Sequence, residues 1–157
     1  MAGVSFNVQA EVIGAKELSK KLNKLADDSE VKQDIFQELL KGGLLIQATA
    51  VRSIVSVTPG STPGVRYNPK RDVKISPPFG PPNADTGFLH KSIRVGFSEK
   101  NSEVEVGTNV LYGAWLEFGT QTMPPRPWLA PAFAANSAKI LAMIKKIAKE
   151  AVKKAAT

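Results

Sequence analysis

The chain has 157 residues, a formal net charge of +7 and no cysteine. The length suits one domain over residues 1–157, and the lack of cysteine excludes disulfides, zinc–thiolate centres, iron–sulfur clusters and a thiol nucleophile. A lone histidine, His90, excludes a polyhistidine metal site, and no apolar run reaches the roughly 20 residues of a membrane span.

The opening MAGVSFNVQAEVIGA lacks a basic stretch followed by a long apolar core, so no signal peptide is expected. Within it Ser5–Val12 alternates, with Phe6, Val8, Ala10 and Val12 on one side, which predicts a half-buried strand ended by Gly14. Leu18, Leu22 and Leu25 then follow at helical spacing, with Lys20, Lys21 and Lys24 outside. Ser29 is placed to cap the next helix, although Lys32 stands where a capping box has Glu or Gln. From Glu30 to about Val55, Ile35, Phe36, Leu39, Leu40, Ile46, Ala50 and Ile54 trace one face of a long helix. Gly42 and Gly43 in its middle cost roughly 2 kcal/mol relative to alanine. Either the helix kinks there or another backbone packs close; close packing is the expectation.

All 11 prolines lie between Pro59 and Pro131, seven of them in Pro59–Pro82. Proline removes a donor and fixes φ, so it is kept out of helix interiors and central strands. Residues 57–85 therefore read as a proline-rich arm, made basic by Arg66, Lys70, Arg71 and Lys74. Its 29 residues far exceed the usual connection of about 4–6. Such an arm is either functional or disordered in the isolated chain, and Val73–Ser76 forms a short strand if the arm docks on something.

Thr86-Gly87 opens a short segment, FLHKSI. Ile93, Val95 and Phe97, then Val104 and Val106, alternate around the turn Glu99–Ser102 and predict a β-hairpin. Tyr112, Trp115, Leu116 and Phe118 sit at helical spacing and stop at Gly119. The last helix, within 130–157, is basic and amphipathic: Lys139–Thr157 holds six Lys against one Glu. The order predicts an α+β fold: a small antiparallel sheet, from the N-terminal strand and the β-hairpin, packed against two long helices.

Chemistry is sparse. His90 has Asp85 as its nearest acid and nothing that completes a triad, so it reads as an exposed or capping residue. Glu103 and Glu105 share a strand face without a third ligand and read as a solvated surface. Neither TPGSTPG nor FGPPNADTG follows a phosphate-loop pattern. No catalytic residue, metal or cofactor is expected. Lys145, Lys149 and Lys153 form a strip at spacing four. This is either the solvated face of a core-packed helix or an anion contact for a DNA- or membrane-associating module. Arg126, between prolines, is either a pre-ordered interface anchor or the ion-pair partner of Glu117.

Ala84–Ile93 (ADTGFLHKSI), Tyr112–Thr120 (YGAWLEFGT) and Met123–Ala132 (MPPRPWLAPA), with Val12–Leu22 before them, resemble a known family. It is the tail-completion or minor-tail family of long-tailed bacteriophages, the lambda Z-like neck proteins. The resemblance implies a structural virion protein at the head–tail junction, assembled in the host cytoplasm, with no catalysis. It implies a homo-oligomeric ring, sixfold to match the tail tube. The ring would touch the connector or stopper and the tail terminator or tail tube, with DNA passing and no membrane contact. By motif, Thr86, Gly87, Leu89, Ser92 and Ile93 would start the hairpin region. Glu117, Phe118, Gly119, Thr120, Arg126, Pro127 and Leu129 would form the turn before the last helix. The arm is longer and richer in proline than the family's usual link, Trp128 stands where Phe is common, and Gly113 where Ala is common. Subunit contacts are expected from Arg66, Tyr67, Arg71, Phe79, Glu117, Phe118, Thr120, Arg126 and Trp128.

Overall fold

The computed structural model describes residues 28–67, 70–98, 100 and 103–155. The strand expected over 5–12 and the helix expected around Leu18–Leu25 lie outside the described residues. The first helix, α1, spans Ser29–Val55. Its cap is Asp28 and not Ser29: the Asp28 carboxylate accepts the Glu30 N–H at 2.9 Å and satisfies one orphan donor of the first turn. Phe36, Ile46, Ala50 and Ile54 are buried along the predicted face. Gly42 and Gly43 lie where α1 is squeezed between two layers. A methyl on Gly42 would stand 2.9 Å from Ile140, and one on Gly43 would stand 2.6 Å from Val104 and 3.1 Å from Val95. The glycines permit close packing, as expected, but side chains make the approach and not another backbone.

The arm is not structureless. Strands β1 (Thr62–Tyr67) and β2 (Lys70–Ile75) pair antiparallel, with Thr62 opposite Ile75 and Tyr67 opposite Lys70. The strand expected near Val73–Ser76 thus finds its partner inside the arm. Pro63 and Gly64 hide β1 from a pattern reading, but a two-stranded ribbon leaves each strand a free edge, where proline's missing donor is tolerated. Asn83 ties the base of this hairpin. Its side chain accepts the Thr58 N–H at 2.8 Å and donates to Ser61 Oγ at 2.8 Å and Lys74 O at 2.9 Å. Ala84 N–H then returns the chain to the end of α1 by donating to Ile54 O at 2.8 Å.

A short helix α2 (Phe88–Ser92) leads into β3 (Arg94–Ser98) and β4 (Glu103–Gly107), the predicted hairpin, with Arg94 opposite Gly107 and Ser98 opposite Glu103. Helices α3 (Leu111–Phe118) and α4 (Ala130–Ala155) complete the order. The fold is α+β, with four helices and two separate two-stranded antiparallel sheets among the described residues. Helix α1 packs along α4 and against β3 and β4. Ile46, Ala50, Ile54, Leu89, Ile93, Trp128 and Ala132 form the core, ringed by Val106, Tyr112, Leu116, Leu129 and Ile140. Further along α1, Phe36 meets Phe97 edge to face at 6.2 Å between ring centres. Among the described residues no helix is long and apolar enough to cross a membrane.

Candidate functional site

The turn between α3 and α4 is closely cross-linked by hydrogen bonds. Gly119 ends α3 at φ 78, and a methyl there would lie 2.8 Å from Met123 O, so both backbone and space call for glycine. Thr120 N–H donates to Met123 O at 2.9 Å, and Thr120 Oγ1 accepts the Met123 N–H at 3.1 Å. Glu117 does not pair with Arg126. Its carboxylate accepts three backbone N–H groups, from Trp128 and Ala130 at 2.8 Å and from Leu129 at 2.9 Å. It thereby caps the start of α4 from the end of α3, where an anion also suits the helix dipole. Arg126 turns the other way and donates from Nε to Ser76 O at 3.1 Å, tying the turn to the arm. Trp128 is only 3% exposed, and its Nε1–H donates to Gly113 O at 3.0 Å. Trp128 is therefore a core residue of this chain. The two positions that depart from the lambda Z-like pattern, Trp128 and Gly113, touch each other.

The arm lies against the same region. Arg66 Nε, near the turn of the hairpin, meets Asp85 Oδ2 at 2.8 Å and ties β1 to the chain just before α2. Tyr67 and Arg71 stand on β1 and β2 near its turn. Phe79 is 72% exposed, holds φ 64, and donates its N–H to Pro125 O at 2.8 Å. Between the arm and α3 opens a cavity of 610 Å³, walled by Phe88, Tyr112, Trp115, Leu116 and Met123, with Arg66, Asp85 and His90 at its polar side. Burial pushes the Tyr112 hydroxyl pKa up, and a backbone hydrogen bond at Leu89 and the Arg66 charge oppose the rise.

Helix α3 has two apolar faces. Tyr112 and Leu116 pack on the core, whereas Leu111, Trp115 and Phe118 are exposed, Phe118 by 81%. The helical spacing of Tyr112, Trp115, Leu116 and Phe118 was legible in the sequence. The outer stripe at Leu111, Trp115 and Phe118 was not separated from it, though its spacing of four and three was the available signal.

The enzymatic candidates are not assembled. Asp85 is engaged by Arg66. His90 Nδ1 is buried without a hydrogen-bond partner, so no carboxylate orients the ring. Among the described residues no three His, Asp or Glu side chains gather to hold a metal ion. Lys145, Lys149 and Lys153 stay exposed along α4, next to Lys154, which reaches Glu30 at 3.4 Å.

The family model described as "Bacteriophage HK97-gp10, putative tail-component" matches residues 16–119. The chain belongs to this HK97 gp10-like family. Membership makes it a structural component of a phage tail, and so a part of the virion. No curated protein and no solved structure matches the chain. The HK97 gp10-like segment takes in α1, the arm, β3, β4 and α3, and ends on Gly119, where α3 is capped. The exposed stripe of α3 lies inside it. Arg126, Trp128 and the lysines of α4 lie beyond it.

Proposed function

We propose that this tail component works at the head–tail junction, as a tail-completion protein of the lambda Z-like kind. It forms a ring, sixfold to match the tail tube, and joins the tail to the head connector in particles assembled in the host cytoplasm. The connector or stopper lies on one side of the ring and the tail terminator or tail tube on the other. The observation that carries this reading is the exposed apolar stripe of α3, inside the family segment and beside the arm. A contiguous apolar surface of this kind marks an interaction site. In this reading residues 1–157 act as one domain. Arg66, Tyr67, Arg71, Phe79, Phe118 and Thr120 supply contacts. Glu117, Arg126 and Trp128 hold the turn in the shape that presents them.

The arm gives a direct test. Pro63 and Lys74 are opposite each other in the hairpin register, so residues 64–73 can be replaced by Asn-Gly, the preferred two-residue turn. Asn83, Ser76 and their partners remain. The shortened chain should melt within a few degrees of the wild type and yet be missing from purified virions of a complemented deletion phage. Virions that incorporate it at wild-type level would refute an arm-mediated contact.

The exposed lysine strip of α4 favours a second reading, contact with the phosphates of passing DNA. Three phosphate contacts predict a log–log salt slope of about −3 for duplex binding. Replacing Lys145, Lys149 and Lys153 by alanine should flatten that slope. A chain that fails to bind DNA even at low salt would remove this reading.

A further inference from the structure

We infer that Phe79 of one copy is a knob that seats in the cavity beside α3 of a second copy. The inference rests on the ring proposed above and supplies its contact. At φ 64, Phe79 occupies the left-handed region, which a bulky residue rarely adopts. Backbone strain of this sort persists only where the surroundings enforce it, and it concentrates at functional positions. Here Pro77, Pro78, Pro81 and Pro82 flank the residue, and its N–H is held by Pro125 O. Within its own chain the ring gains little from this, because it projects into solvent. A side chain already fixed in direction loses little freedom when it docks.

The receiving surface is on the same chain. The 610 Å³ cavity walled by Phe88, Tyr112, Trp115, Leu116 and Met123 falls in the roughly 300–1,000 Å³ range of sites that enclose small ligands. A single phenyl ring occupies only part of this volume. Phe79, Phe88, Leu111, Trp115 and Phe118 are each half or more exposed. Counted over knob and receiving surface together they offer roughly 600 Å² of apolar surface, a part of the roughly 1,600 Å² that a standard interface buries over both partners, with the rest falling to the polar surface around them.

Charge selects a second copy as the occupant. Ser76–Ala84 carries no charged side chain, the only charge on α3, Glu117, is directed to the backbone of α4, and the two charges that line the cavity, Arg66 and Asp85, pair with each other. On a chain of net charge +7 these are the surfaces across which two copies approach with least repulsion. An acidic partner would instead be drawn to the lysine face of α4. Knob and cavity are different surfaces, so a copy can give its knob to one neighbour and receive a knob from another, which in the proposed ring makes the contact heterologous. A copy that gives its knob still has an open cavity, and the contact repeats head to tail until it closes.

The test is the mass of the full chain in solution, followed by light scattering against concentration. The wild type should pass beyond the mass of a dimer. Phe79→Gly should associate at least about 30-fold more weakly, as for loss of an aromatic hot spot. It should melt no lower than the wild type, since glycine adopts φ 64 without clash. Trp115→Glu should also stay a monomer. An equimolar mixture of the two variants should form a one-to-one pair, because each keeps the surface the other lacks. A wild type that remains a monomer, a Phe79→Gly chain that still assembles, or a mixture that forms no pair would each overturn the inference. The tail-component reading would survive any of these results, because it is decided by whether the wild-type chain is found in virions.

Discussion

Trp128→Ala should cost the isolated chain about 4 kcal/mol, the range expected for removing a buried aromatic side chain without collapse of the site. The indole is 3% exposed and lies in the core with Ile54, Leu89, Ile93 and Ala132. Its loss opens a cavity between α1, α2 and the start of α4. For a domain with a total stability of about 5–15 kcal/mol this is a large fraction, and the urea midpoint should fall by about 2 M. Trp128→Phe is the informative companion. It keeps most of the apolar area but removes the Nε1–H bond to Gly113 O, and should cost about 1–2 kcal/mol. An isolated chain whose urea midpoint does not move in Trp128→Ala would show that the side chain serves only a partner. The loss expected here says that Trp128 acts on assembly through the fold, by fixing where α3 and α4 diverge.

What was readable in advance follows from how local each cause is. Helix α1 was legible because Phe36, Ile46, Ala50 and Ile54 repeat at the helical period, and β3 and β4 because Val95, Val104 and Val106 alternate toward α1. Gly119 was legible as a helix end because a φ of 78 is a local demand. The hairpin of β1 and β2 was not, since Pro63 and Gly64 break the alternation, and pairing with Lys74 and Val73 restores what the pattern lacks. The cap of α4 was hidden for a different reason. Its acceptor is Glu117, 11 residues before Trp128, and only the fold brings them together. The knob and its cavity were half visible. Phe79 was named only as one of the expected subunit contacts, while the cavity is built by residues from the arm, α2 and α3 that no single window contains.

Glu117→Ala should destabilise the chain by about 3 kcal/mol, because three backbone donors lose a charged acceptor and two of them are partly buried. Glu117→Gln should cost about 2 kcal/mol. One oxygen remains, but an amide NH₂ then faces a backbone N–H, and the negative charge that suits the start of α4 is gone. Aspartate, one methylene shorter, should not rescue the loss. Amide hydrogen exchange should quicken at Trp128, Leu129 and Ala130 in all three variants, ahead of the rest of α4. The rival explanation, an ion pair between Glu117 and Arg126, predicts strong coupling between the two side chains. In a double-mutant cycle with Arg126→Ala the cap predicts a coupling below about 0.5 kcal/mol, because Arg126 donates to Ser76 O and not to the carboxylate. A coupling well above that, or unchanged exchange at the three amides, would mean that the turn is held by charge pairing. In the capped arrangement the guanidinium joins the turn to the arm while the carboxylate joins the turn to α4. The one turn thereby fixes the position of Phe79 through Pro125 and the position of the α3 stripe through Gly119.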